Sequence, residues 1–183
     1  MTDQNTLNVL VITTSFGTEQ DEIGTPIGFF TTKGAAVTVA STDGKDVETL
    51  VFDKTPGTTV AATAKLSDID PSAFDLLIIP GGTINADTLR VDEDAQAIVR
   101  AFAAAGKLVG AVCHAPWLFV NTDLARGRTV TSFFTLRRDL ENAGATWVDE
   151  QVVVDTSQGF TTITSRNPDD LDAFNEALWA AVN

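Results

Sequence analysis

Short, almost wholly apolar runs recur along this chain, and amphipathic segments separate them. The runs are Leu7 to Thr13, Ala36 to Ala40, Asp75 to Ile79 and Leu108 to Val112. Such runs read as strands buried on both faces. Between the last two, residues 92–105 set Ala95, Ile98, Val99 and Phe102 at helical spacing, and Gly106 supplies a stop. Residues 19–33 place Ile23, Ile27 and Phe30 on one helical face, with Gly34 behind them. Pro26 predicts a kink there or an early start. Residues 42–66 are rich in Thr, Asp and Gly, with β-prone pieces near Leu50 to Phe52 and Thr59 to Ala61, and read as an irregular excursion or hairpin. A further helix is expected over Thr135 to Ala143. Val152 to Val154 and Phe160 to Thr164 read as a hairpin. Asn167-Pro168-Asp169-Asp170 starts a last helix, with a capping Asn, a first-turn Pro and acids on the dipole. Strands that alternate with helices demand a mostly parallel sheet covered on both sides: an α/β fold, expected as one domain over residues 1–183.

Charge and composition narrow the function classes. The net charge is −13, with 25 Asp and Glu against 12 Lys and Arg. Such a surface repels nucleic acid and anionic membranes. Arg126, Arg128, Arg137 and Arg138 form the one small basic concentration. A single cysteine excludes an internal disulfide and fits a reducing, cytoplasmic setting. No apolar run reaches membrane-spanning length. The start is polar up to Asn5 and lacks the pattern of a signal peptide.

Cys113 is the only cysteine, His114 the only histidine, and they are adjacent. They follow the Leu108 to Val112 run and precede Pro116, which a helix tolerates in its first turn. Cys113 therefore falls at a strand-to-helix corner. Ala111-Val112-Cys113-His114-Ala115 has the spacing of the nucleophile elbow Gly-x-Ser-x-Gly, with alanines for glycines and sulfur for the hydroxyl. A thiol at a helix start is expected to favour thiolate. A lone cysteine after an apolar run equally fits a small buried hydrophobe, and a lone histidine a satisfied polar residue. Ligand sites in parallel sheets form outside the carboxyl ends of the strands. Besides Cys113, the Glu19 loop and the Gly81-Gly82 turn belong there. The Gly82 and His114 amides could form an oxyanion hole, or the glycines could be an ordinary tight turn. Glu19 fits an acid or a helix-start residue. Asp87 taken alone is one of several acids on a solvated face. One Cys and one His cannot make a usual zinc shell, and no phosphate loop surrounds the glycines, so no metal or cofactor is expected.

The chain resembles the intracellular protease PfpI family, within the ThiJ/PfpI superfamily that includes the Parkinson-associated deglycase. The resemblance rests on Ala111 to Trp117, Ile79-Pro80-Gly81-Gly82, Asn142 to Glu150, Val152 to Asp155 and Thr164 to Leu171. It implies a flavodoxin-like three-layer sandwich related to class I glutamine amidotransferases. It implies Cys113 as nucleophile and Glu19 as the carboxylate hydrogen-bonded to its sulfur. It also implies a homodimer or larger assembly in which a neighbouring subunit supplies the acid partner of His114. Asp87 stands at that position, one methylene shorter than the family's glutamate and after one extra loop residue. Ala115 replaces the family's usual glycine. The activities implied are peptide hydrolysis, glyoxalase conversion of methylglyoxal and repair of glycated protein, in a stress-protection setting, on a small carbonyl or peptide substrate. The rival implied by the same residues is a redox sensor or chaperone in which Cys113 is oxidised.

Overall fold

A computed structural model describes residues 6–183; residues 1–5, on which the absence of a signal peptide was argued, lie outside the described residues. The chain opens with β1 (Asn8–Thr13), β2 (Phe16–Glu19), α1 (Gln20–Thr32) and β3 (Ala36–Ser41). It continues through β4 (Val47–Val51), β5 (Thr55–Val60), β6 (Ala64–Lys65), β7 (Leu76–Ile79), α2 (Thr83–Leu89) and α3 (Glu93–Ala104). Then come β8 (Leu108–Val112), α4 (Trp117–Asn121), β9 (Thr129–Val130), α5 (Arg137–Asn142) and β10 (Thr146–Trp147). The last elements are β11 (Val152–Asp155), β12 (Thr162–Ser165) and α6 (Leu171–Val182).

Seven strands form the central sheet in the order β11-β12-β8-β7-β1-β3-β6. Every pairing is parallel except β11 with β12, the expected hairpin. The inner five strands follow the flavodoxin order, which reverses direction between β1 and β7. Strand alternation separates two cores. Leu10, Ile12, Leu77, Ile79, Val109 and Ala111 face α3, α4 and α5 through Ile98, Phe102, Phe119 and Leu140. Val9, Val11, Leu76, Ile78, Leu108 and Val112 face α1 and α6 through Ile23, Phe30, Phe174 and Leu178. These three layers are the expected sandwich. Gly110 lets α6 approach: a Cβ there would lie 2.8 Å from Leu178 and 3.0 Å from Phe174.

Three features depart from the sequence reading. Helix α1 runs unbroken through Pro26. A mid-helix proline costs about 3 kcal/mol in isolation. Here Pro26 is buried with Ile23 and Phe30, and that packing holds the helix. The excursion after β3 is ordered: β4 and β5 pair antiparallel, and β2 pairs parallel with β4. Strand β2 carries no local signal, because its Phe-Gly-Thr-Glu lacks a strand's apolar pattern. The third is α2, which starts directly after Gly82.

Candidate active site

The three carboxyl ends nearest the direction reversal, those of β1, β7 and β8, build the site. At the end of β8 the backbone turns at Cys113, whose φ is +61°. L-residues other than glycine avoid this region, and bulky ones occupy it at a cost of order 1 kcal/mol or more. Two hydrogen bonds clamp the turn: Cys113 N–H donates to Ser165 O (3.0 Å), and Phe133 N–H donates to Cys113 O (2.9 Å). Ala111 and Ala115, on either side of it, are both buried. This is a nucleophile elbow in its backbone.

The thiol does not have the acidity expected of it. Cys113 is only 6% exposed. Burial first, then the neighbouring Glu22, pushes the thiol pKa well above its ordinary value, against the Gly82 and His114 amides that lower it. The expected help from a helix dipole is small. Helix α4 begins only at Trp117 and spans five residues, while His114 to Pro116 form a turn.

Gly81 and Gly82 face the elbow. The Gly82 and His114 N–H groups both hydrogen-bond the Cys113 sulfur. Gly81 N–H donates instead to Glu22 Oε2 (2.8 Å). Neither glycine can be replaced freely. A Cβ on Gly81 would sit 2.5 Å from Glu22 Oε2 and 2.8 Å from Cys113 Cβ. Gly82 has φ +86° and packs on the backbone of Gly17 and Glu19. Asn85 pins the turn from below: its Nδ2 donates to Pro80 O (3.1 Å) and Gly81 O (2.9 Å), and its Oδ1 accepts from Thr13 Oγ1 and Thr14 N.

The carboxyl group against the sulfur is Glu22, and this corrects the expectation for Glu19. Glu22 is fully buried, and its carboxyl group lies beside Cys113. Its pKa is pushed up to about 8, chiefly by burial and further by the charge of Glu19. It is therefore protonated at neutral pH. Its Oε1 has no hydrogen-bond partner within the chain. Glu19 precedes the helix and is buried beside it. Its carboxylate accepts from the backbone N–H groups of Phe52 and Asp53, and burial is the main cause of its raised pKa. The physical reason for the exchange is β2. That strand pairs Glu19 with Leu50 of β4, outside the helix, and Glu22 stands in the first turn of α1 on its buried face.

His114 is also nearly enclosed. Its Nδ1 lies 3.1 Å from Cys113 Sγ, and its Nε2 lies 3.3 Å from Thr83 Oγ1. Phe133 stacks on the ring at 4.8 Å, and Trp117 tilts against it at 5.4 Å. Burial lowers its pKa, so the imidazole is neutral at neutral pH. The adjacency of Cys113 and His114 works because a residue with positive φ swings the next side chain back toward its own. Asp87 lies exposed on α2, and His114 has no hydrogen bond to it within the chain. Thr83, Asn85 and Glu22 were missed from sequence. An acid beside Ile23 at the start of the expected helix was the one available signal. Among the described residues, no cluster of His, Cys, Asp or Glu could hold a metal ion. Among the described residues, no helix is long and apolar enough to cross a membrane.

An uncharged thiol, an uncharged carboxylic acid and a neutral imidazole thus meet under two convergent amides. That set can move a proton on and off sulfur and stabilise an anion beside it. Comparison with known proteins gives the family. Protein/nucleic acid deglycase 2 of Escherichia coli is 37% identical over 171 residues, covering 92% of this chain and 94% of that one. General stress protein 18 of Bacillus subtilis is 39% identical, covering 86% of this chain and 87% of that one. A two-domain protein of Anabaena variabilis, with DJ-1/ThiJ/PfpI-like and ferritin-like domains, superposes with TM-score 0.85 at 30% identity. The match covers 96% of this chain and 48% of that one, so the chain spans about half of its length. The DJ-1/PfpI family model matches residues 8–181, and the chain belongs to that family.

Proposed function

We propose that this protein is a cysteine-dependent stress-protection enzyme that acts on reactive carbonyl compounds and their adducts, by glyoxalase or deglycase chemistry. The observation that carries the reading is the fully buried Glu22 beside Cys113, tied to Gly81 N–H, with its pKa pushed up to about 8 by burial. His114 Nδ1 takes the thiol proton as sulfur bonds to an aldehyde carbon. The carbonyl oxygen takes its proton from Glu22, giving a hemithioacetal. With an α-oxoaldehyde, the Glu22 carboxylate then moves a proton from the thiol-bearing carbon to its neighbour. The first carbon is oxidised to a thioester and the second reduced to an alcohol. Water releases the acid and restores the thiol. The net change is the addition of one water, and no outside oxidant is needed. The names of the deglycase and stress-protein relatives point the same way.

Peptide or amide hydrolysis is the second reading, favoured by the 3.1 Å contact between Cys113 Sγ and His114 Nδ1. The rival is a redox sensor or chaperone, in which Glu22 would hydrogen-bond an oxidised Cys113. The proposed setting is cytoplasmic and the proposed assembly a homodimer or larger, in which exposed Asp87 could be offered to a neighbour. The test is methylglyoxal turnover alongside peptide hydrolysis, with Cys113→Ala and Glu22→Gln controls. Cys113-dependent conversion of methylglyoxal to lactate supports the reading. Peptide cleavage without it selects the second reading, and neither activity selects the sensor.

A further inference from the structure

The tip of the β4–β5 hairpin is strained and is held against the site. Phe52 has φ +53° and Asp53 has φ +57°. Lys54 N–H closes the turn onto Val51 O at 3.2 Å. Hairpins with two left-handed residues normally use Asn-Gly or Asp-Gly, because other residues are strained there. Strain of this kind persists only where its surroundings enforce it. Two sets of hydrogen bonds do so. The Glu19 carboxylate accepts from the N–H groups of both Phe52 and Asp53. Asp53 Oδ1 accepts from Thr83 N–H (2.8 Å), and Asp53 Oδ2 accepts from the Thr83 hydroxyl (2.6 Å).

That second bond fixes a direction. A threonine hydroxyl has one proton, and a carboxylate can only accept. With its proton committed to Asp53, Thr83 Oγ1 presents a lone pair to His114 Nε2 at 3.3 Å. Nε2 must then carry the ring's proton. The neutral ring's free lone pair therefore lies on Nδ1, which faces Cys113 Sγ. We propose that Asp53, acting through the Thr83 hydroxyl, is a positioning residue that fixes the tautomer of His114 and so makes Nδ1 the base for the Cys113 thiol, within a single chain. Glu19 becomes the anchor of the tip that carries Asp53. The proposal rests on the reading of Cys113 as the nucleophile, and it assigns the acid to this chain rather than to Asp87 of a neighbour.

The single histidine makes the test direct. Nitrogen-15 NMR of the full chain, well above the imidazole's ordinary pKa of about 6.5, reads the tautomer of His114 with no reference to turnover. The native chain is expected to hold the proton on Nε2. Asp53→Asn should reverse the relay. Its amide oxygen would keep the Thr83 N–H, its NH2 would donate to Oγ1, and the hydroxyl would turn its proton onto Nε2, leaving the proton of His114 on Nδ1. Thr83→Val should give mixed tautomers, and Thr83→Ser should restore the native one. Alkylation of Cys113 by iodoacetamide should slow about tenfold in the first two variants and recover in the third. Backbone amide spectra confirm that each variant is folded, and the serine variant keeps the test valid if the valine one is not. An Nδ1–H tautomer in the native chain would overturn the proposal, as would a tautomer that ignores both Asp53→Asn and Thr83→Val. So would a tautomer that changes in Asp87→Asn and not in Asp53→Asn. If methylglyoxal and peptides are both left untouched while the tautomer follows Asp53, the relay stands and the substrate reading fails.

Discussion

Two carboxyl groups flank the Cys113–His114 pair, and their surroundings differ in every respect. Glu22 is sealed in the core beside Cys113, and burial pushes its pKa up to about 8. Asp53 rides at the tip of a half-exposed hairpin and reaches the imidazole only through a threonine hydroxyl. Two acids in one site are useful when their environments separate their behaviour. A buried acid can give up a proton at neutral pH. An acid whose two oxygens both accept hydrogen bonds can orient a dipole.

Cys113→Ala should abolish both carbonyl turnover and hydrolysis, by about 10⁴-fold, because it removes what both acids serve. Residual activity within about tenfold of native would break the comparison at its root.

The next largest effect is on stability. Glu22 has a folded pKa of about 8 against an ordinary value of 4.5. Its contribution is fully present below pH 4.5. As pH rises the unfolded chain loses this proton first, so stability declines until about pH 8. The ceiling is about 5 kcal/mol. Glu22→Gln should remove this fall, and urea titrations of both chains between pH 5 and pH 8 would measure it. His114, whose pKa is lowered, acts oppositely: its contribution is lost as pH falls below its ordinary range. It is common to both chains, so their difference isolates Glu22. Parallel curves would show that Glu22 is ionised.

The same variant should lower the carbonyl kcat by about 10²-fold. Glutamine can keep the bond from Gly81 and still donate to sulfur, but it cannot pass a proton on. Gly81→Ala should destabilise the chain by about 2 kcal/mol and slow both reactions, because its Cβ would press on Glu22 and Cys113 together. Phe133→Leu should cost about 1 kcal/mol or less, and it should affect hydrolysis more than carbonyl turnover, because it loosens only the His114 side. Equal losses in the two activities would mean that the two sides cannot be separated.

The parts of this site that were legible in the sequence are those set by neighbours along the chain. Buried strands at β1, β7 and β8, the glycines that end β7 and the Ala-x-Cys-x-Ala corner all carry local signals. Glu22 was not legible, because choosing between it and Glu19 needed the position of β2, a strand without an apolar pattern. The Asp53–Thr83 bond was hidden for a different reason. It joins a hairpin tip to a helix start thirty residues away, and only tertiary packing brings those together. The thiol's acidity was misjudged because a local rule, the helix dipole, was outweighed by burial.

The left-handed backbone at Cys113 also has an evolutionary consequence. Glycine would relax at this corner and lose the sulfur, trading activity for a more stable chain. Drift in a lineage freed from the need for turnover should therefore run toward glycine at position 113. A cysteine at this corner sits where the backbone alone would favour glycine.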